Sequence, residues 1–207
     1  MKRNMILLLA LCLLLTMVGC NIAVTGTETV VSETQVVTLE SGKTYYADIE
    51  IADYGTVTVQ LDQSAAPATV ANFISLAESG FYDGLTFHRI MAGFMMQGGD
   101  PKGNGTGGSD TKIVGEFAAN GYNNPISHER GVISMARSKQ YNIASSQFFI
   151  MHADAAYLDG QYAAFGRVTE GMDVVDAVCE AAEPMDNNGS IAKDAQPVIT
   201  KITIREA

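Results

Sequence analysis

The stretch FHRIMAGFMMQGGD, residues 87–100, is the most informative part of this 207-residue sequence. Apolar residues on both sides of a central glycine predict two short strands joined by a turn. Arg89 lies inside the first strand and shares a face with Phe87, because strand side chains alternate between the two faces. An unpaired buried charge is costly, so this arginine needs either a partner or a function. The residues alone do not decide between these two interpretations. In the first, an internal carboxylate such as Asp100 or Glu116 holds Arg89; in the second, Arg89 takes part in the function of the protein.

The rest of the chain has the periodicity of a mainly β protein. Alternating or short apolar segments that predict further strands lie at residues 47–51, 57–61, 132–136, 147–151, 164–168 and 198–204. Two helical patterns begin near Pro67 and Gly171. Glycine-rich turns separate the strands, and strands do not alternate with helices. The sequence therefore predicts a closed eight-stranded antiparallel barrel capped by two α-helices.

The N-terminus has the pattern of an export signal. Two basic residues precede an apolar run at 5–18, which is too short to cross a bilayer as a helix, and Gly19 and Cys20 follow it. This ending resembles the lipobox of bacterial lipoproteins, although Met17 stands where leucine is commoner. The alternative is an ordinary secretory signal in which Cys20 is incidental.

The lipobox resemblance implies a three-part organisation. We expect a signal peptide at 1–19, a lipid attached to the sulfur of Cys20 in a flexible linker at 20–43, and a single domain at 44–207. The protein would then be exported and anchored by its lipid to the extracytoplasmic face of a bacterial membrane.

Charge and motif spacing exclude several functions. The chain has 13 Lys plus Arg against 23 Asp plus Glu, a net charge of −10, so we expect no nucleic-acid partner. Residues 103–108 match G-x-G-x-x-G, but no helical pattern follows them, which favours a surface loop over a nucleotide site. No pair among His88, His128 and His152 has the spacing of a helical metal site. The sequence predicts neither a metal nor a cofactor.

Several ordered blocks resemble the signature of the cyclophilin family of peptidyl-prolyl cis–trans isomerases. They are FHRI-x-x-GFM-x-QGGD at 87–100, GVISMA at 131–136, SQFFI at 146–150, LDG at 158–160 and FG at 165–166. The resemblance covers the chain from about residue 46 to residue 205. It implies the same two-helix barrel that the periodicity predicts, and an activity on X-Pro peptide bonds.

The resemblance also implies which residues form the site. Arg89 matches the catalytic arginine of the family. Residues that match the groove for proline and its flanking peptide are Phe94, Met95, Gln97, Ala136, Gln147, Phe149 and Leu158. Three groove positions depart from well-known eukaryotic members: Arg137 replaces Asn, Tyr157 replaces Trp and Tyr162 replaces His. We count these three as substrate-binding residues, and His88 with them, although a strand histidine is more often structural. The change at Tyr157 implies weak cyclosporin binding.

Rotation about an amide breaks no bond and moves no proton, so an isomerase needs no nucleophile. We therefore expect a monomeric enzyme whose partners are proline-containing segments of unfolded or exported proteins. The main alternative is a module or chaperone on the same barrel that binds proline peptides without catalysis. A donor to the amide nitrogen such as Arg89 favours the enzyme, since binding alone does not require one.

Overall fold

The computed structural model describes residues 39–40 and 42–207. The predicted signal peptide, Cys20 and most of the predicted linker therefore lie outside the described residues. The strands are β1 Tyr45–Ile51, β2 Gly55–Leu61, β3 Thr86–Met91, β4 Met95–Asp100, β5 Val132–Met135, β6 Phe148–Met151, β7 Ala164–Glu170 and β8 Ile199–Glu206. The helices are α1 Pro67–Glu78 and α2 Met172–Ala181. The prediction of a mainly β fold with two α-helices is confirmed.

All eight strands belong to one antiparallel sheet in the order β3-β4-β6-β5-β7-β2-β1-β8. The sheet curls around a core of aromatic side chains. Phe73 of α1 contacts the rings of Tyr82, Phe148 and Phe165 at centroid distances of 5.2–5.5 Å. Burial of such large rings is a main source of folding free energy. Within the described residues, no helix is long and apolar enough to cross a membrane.

The prediction of a closed barrel is wrong, because the sheet is an open, curled half-barrel that ends at β3 and β8. Near this opening, Thr86 of β3 forms an isolated bridge with Val198, the residue that precedes β8. The free edge of β3 is covered instead by the irregular chain that precedes β8, which bonds to it through the carbonyls of Gly189 and Pro197. Pro197 has no N–H to donate, so this segment does not continue a regular ladder along β3.

Strand alternation gives the sheet a second, smaller apolar cluster on its outer face. In β4 and β6, Met96 and Ile150 point into the core, whereas Met95 and Phe149 point outward. Leu158, from the 3₁₀ turn at Ala156–Leu158, packs on the outward pair. The outer cluster provides the floor of the candidate site.

Candidate active site

A small apolar pocket of about 100 Å³ opens on the outer cluster. Its lining residues are Phe94, Met95, Gln97, Ala136, Arg137, Phe149, Leu158 and Tyr162. All eight are among the residues that the sequence resemblance places in the groove. They come from separate strands and loops, and the curl of the sheet brings them together.

Arg89 lies at the edge of this pocket, opposite Gln97 in the register of β3 and β4. Its Nε donates to the carbonyl oxygen of Asn188 at 2.6 Å, and a terminal nitrogen donates to Oε1 of Gln97 at 3.3 Å. The guanidinium carbon is 5.9 Å from the ring centroid of Phe94. Burial lowers the pKa of Arg89 below its ordinary value, because the charged form loses water.

Arg89 is not held by Asp100 or Glu116, the two carboxylates that the sequence suggested as its partners. Asp100 instead accepts from the backbone N–H groups of Lys102 and Gly105 at 2.8 and 2.6 Å. Glu116 accepts from the first turn of α1. Among the described residues, no carboxylate lies within ion-pair distance of Arg89. The interpretation of Arg89 as part of a structural ion pair is therefore wrong.

A chain of side-chain amides orients Arg89. Gln97 accepts from Arg89 through Oε1, and its Nε2 donates to Oε1 of Gln147 at 2.9 Å. Nε2 of Gln147 donates in turn to the carbonyl oxygen of Gly107 at 2.8 Å. Each amide has one donor end and one acceptor end in use, which fixes its orientation. The predicted groove residue Gln147 thus lies behind Gln97 and acts on Arg89 through it.

The three positions that depart from the family pattern form an aromatic and cationic rim. Tyr157 is 67% exposed and stacks on Phe94 with a centroid distance of 6.1 Å. Tyr162 meets Phe149 edge to face, and the guanidinium carbon of Arg137 lies 4.7 Å above the Tyr162 ring. These contacts keep the three residues at the groove, but their hydrogen-bond donors differ from those of the residues in the eukaryotic pattern.

The structure does not bring His88 into the apolar pocket. Its side chain is buried at the β-bulge between Phe87 and Arg89, where Gly105 of the glycine-rich loop covers it, and it lines a neighbouring cavity together with Arg89. Burial lowers the pKa of His88 from 6.5, and neither ring nitrogen has a hydrogen-bond partner in the structure. The loop itself continues into extended chain rather than a helix, so it lacks the helix N-terminus that a dinucleotide site requires.

Sequence reasoning missed two contacts that shape the site. The shortest hydrogen bond of Arg89 is the one to the carbonyl oxygen of Asn188. The only feature of the sequence that could have indicated this contact is the turn composition of DNNG at 186–189. Nδ1 of His152 accepts from the N–H of Gly93 at 2.8 Å, and the backbone N–H of His152 donates to the carbonyl of Phe94 at 2.9 Å. His152 thereby holds the turn that presents Phe94 to the pocket.

Comparison with known proteins agrees with this geometry. The family model described as cyclophilin-type peptidyl-prolyl cis–trans isomerase/CLD matches residues 46–206. A peptidyl-prolyl cis–trans isomerase of Helicobacter pylori strain J99 is 44% identical over 141 residues, which cover 67% of this chain and 83% of the relative. Peptidyl-prolyl cis–trans isomerase B of Bacillus subtilis is 43% identical over 154 residues, covering 74% of this chain and 97% of the relative.

A solved structure is similar over the same region. The crystal structure of a Cryptosporidium parvum cyclophilin-type isomerase, determined in the presence of the dipeptide Ala-Pro, has 30% sequence identity and a TM-score of 0.68. The match covers 77% of this chain and 98% of that chain. With its curled sheet, its outer-face pocket and an arginine free of carboxylates, this chain belongs to the cyclophilin-type peptidyl-prolyl cis–trans isomerase family.

Proposed function

We propose that this isomerase is an exported, lipid-anchored enzyme that accelerates rotation about X-Pro bonds in exported proteins. The observation that supports catalysis is the guanidinium of Arg89, which has no carboxylate partner and lies beside an apolar pocket. A structural arginine would be neutralised by an acid, whereas this one keeps donors available to a ligand.

The chemistry requires only a change in amide conjugation. The barrier to rotation is about 18–20 kcal/mol, because twisting the C–N bond destroys its resonance. In the twisted state the prolyl nitrogen regains a lone pair, which a positioned donor can stabilise. Interactions made only in that state accelerate the reaction, whereas equal binding of both states does not. Arg89 is the donor that the geometry supplies.

The pocket binds the proline ring. Met95, Phe149 and Leu158 form an apolar floor, and Phe94 stands beside Arg89. Holding the ring in this floor leaves the preceding carbonyl as the part that rotates. Gln97 keeps one amide N–H directed to Gln147, so its main role is to orient Arg89.

Arg89 accounts for only part of the acceleration. Uncatalysed exchange takes about 10–100 s, so a roughly 10⁵-fold acceleration lowers the barrier by about 7 kcal/mol. One preorganised donor supplies about 3–4 kcal/mol. The remainder must come from loss of water around the amide and from immobilising the chain on both sides of the proline.

The test is an isomerisation assay on the full-length chain in mild detergent, using a proline peptide and a readout of cis–trans exchange by NMR. We expect exchange well above the uncatalysed rate. A chain that binds the peptide but leaves the exchange rate at background would instead be the non-catalytic binding module. Export and lipid attachment rest on residues 1–20 and are tested separately below.

A further inference from the structure

Most basic residues of the described domain belong to one of two sets. Those that form ion pairs with carboxylates lie at Lys43, Arg130, Arg167 and Arg205. In the described part of the chain, five others line the candidate site without a carboxylate within ion-pair distance: Arg89, Lys102, Lys112, Arg137 and Lys193. Among the described residues, only Lys139 and Lys201 also have no carboxylate within ion-pair distance, and they line none of these pockets, so most of the unpaired cations are concentrated around the site.

These five cations surround three adjoining pockets. Gln97 lines all three, namely the apolar pocket, a cavity of about 730 Å³ on the side of Arg137, and a cavity of about 640 Å³ on the side of Arg89. Lys102 lies between the two larger cavities and lines both. A peptide whose proline occupies the apolar pocket therefore has unpaired positive charge on either side of it.

Negative charge is scarce in the same region. Asp110 is the one carboxylate residue among the residues lining the three pockets. Asp186 lies close enough to Arg89 to offset part of its charge, and its carboxylate accepts from the N–H groups of Asn188 and Ser190 at 2.9 and 3.1 Å. Even with Asp186 included, the five cations outnumber the carboxylates near the pockets. The site is thus a cationic region on a chain whose net charge is −10.

Such an arrangement has a physical consequence for substrate choice. A cleft lined by one sign of charge raises the local concentration of ligands of the opposite sign and speeds their association. Binding an acidic side chain would also give these cations the partners that the fold does not provide. A basic client segment would meet repulsion at the same places.

We infer that this enzyme acts preferentially on prolyl segments that carry Asp or Glu close to the proline. The inference rests on the proposed isomerase function and adds a substrate class to it. Lys193 receives acidic side chains on the Arg89 side of the proline, Lys112 and Arg137 receive them on the other side, and Lys102 is placed to receive them from either side.

The experiment compares three proline peptides that differ only in residues flanking the X-Pro pair, with Glu, Gln or Lys at those positions. We expect kcat/KM to be about five-fold higher for the Glu peptide than for the Gln peptide at low salt, and lowest for the Lys peptide. The advantage should shrink in 0.5 M NaCl, where charges are screened over about 4 Å.

Matched variants of the full chain locate the effect. Lys102→Gln combined with Lys193→Gln should bring the Glu-to-Gln ratio of kcat/KM towards one, and the corresponding Arg replacements should keep it. Lys201→Gln removes one charge from an exposed position of β8 outside the pockets and should leave the ratio unchanged.

Three negative results have different meanings. Equal kcat/KM for all three peptides, with clear turnover, would overturn the preference for acidic clients while leaving the isomerase intact. A ratio lowered as much by Lys201→Gln as by the pocket variants would overturn the assignment to this site. Absence of turnover with every peptide would contradict the proposed function itself.

Discussion

At the scale of single residues, Arg89 is held by two oxygen acceptors and otherwise contacts the weakly accepting sulfurs of Met91 and Met95 at 3.3 and 3.8 Å, which leaves donors for a ligand. Its Nε is used by Asn188, and one terminal nitrogen is used by Gln97. A planar guanidinium can hold both contacts and still direct an N–H towards the pocket, whereas an ammonium cannot reproduce that fork.

We predict that Arg89→Ala folds but loses most isomerase activity, with kcat/KM lower by about 10²–10³-fold. Arg89→Lys should recover little of it, since lysine keeps the charge without the fork. The measurement is kcat/KM by NMR exchange, with circular dichroism to verify folding. Wild-type activity in a folded Arg89→Ala variant would remove this residue from the mechanism.

Tyr157 leads to a second prediction, because the chain contains no tryptophan. A tyrosine hydroxyl extends from the ring differently from an indole N–H, and an unsatisfied bond on a bound drug costs about 1–3 kcal/mol. Cyclosporin should therefore inhibit weakly, and Tyr157→Trp should tighten inhibition by about 5–150-fold. Turnover should change little, since in the proposed function the proline ring binds on Met95 and Phe149 rather than on Tyr157.

An inhibition titration of both proteins measures this effect, with Tyr122→Trp as a control at another exposed tyrosine. Nanomolar inhibition of the unmodified protein would show that this position does not limit drug affinity.

At the scale of elements, α1 depends on a distant residue for its N-terminus. Ala66 precedes the helix and provides no side-chain cap. Glu116 accepts from the N–H groups of Ala68 and Thr69 at 3.0 and 2.8 Å, and from the Thr69 hydroxyl at 2.7 Å. A carboxylate at a helix N-terminus also interacts favourably with the helix dipole. Glu116 thereby ties the loop before the 3₁₀ turn at Ala118–Asn120 to the helix that fills the core.

We predict that Glu116→Gln lowers the free energy of unfolding by about 1–3 kcal/mol, because the variant loses an ionised acceptor at a buried site. Urea denaturation measures the change. Glu183→Gln, at an exposed position after α2, is the matched control and should leave stability nearly unchanged. Equal stability of the two variants would show that Glu116 is not the cap of α1.

At the scale of the whole molecule, two buried histidines couple stability to pH. Burial lowers the pKa of His88 and of His128 from 6.5, against the opposing effects of Asp100 and Asp159 respectively. Both rings are therefore harder to protonate in the folded state than in the unfolded chain. The unfolded state binds more protons below about pH 6.5, so stability falls as the pH falls.

We predict a lower free energy of unfolding at pH 5.5 than at pH 7.5, measured by urea denaturation at each pH. The carboxylates whose pKa values are lowered, such as Asp48 and Asp176, lose their contribution only below pH 3.8 and do not act in this window. A constant or rising stability between pH 7.5 and pH 5.5 would contradict the assignment of buried, neutral histidines.

The proposed attachment of the chain to a membrane would depend on one thiol, that of Cys20, which lies outside the described residues. We predict that Cys20→Ser releases the protein from washed membranes, because the serine oxygen cannot take the thioether-linked lipid. Fractionation and immunoblotting measure the distribution, with Cys179→Ser as the control for loss of a thiol. Retention of the Cys20→Ser protein in the membrane fraction would show that the lipobox interpretation is wrong.

The sequence by itself determined the elements and most of the residues at the site. Nearby residues in the chain suffice to predict the alternation of Val57, Val59 and Leu61 and the turn at Gly93. The block at 87–100 placed Arg89, Phe94 and Gln97 close together, because an antiparallel hairpin brings its own two strands side by side.

Only the tertiary structure decided whether the sheet closes and what holds Arg89. The sheet stays open because Pro197 and the irregular chain before β8 cover the free edge of β3. Arg89 is 99 positions from Asn188, and the pairing of that carbonyl with the guanidinium exists only once the covering segment has packed. The prediction that Arg89 shares a face with Phe87 is likewise wrong, because a β-bulge between them breaks the alternation: Phe87 lies in the core, whereas Arg89 contacts Gln97 and Phe94 at the site. Contacts between distant segments arise from packing of the whole chain, which local periodicity does not encode.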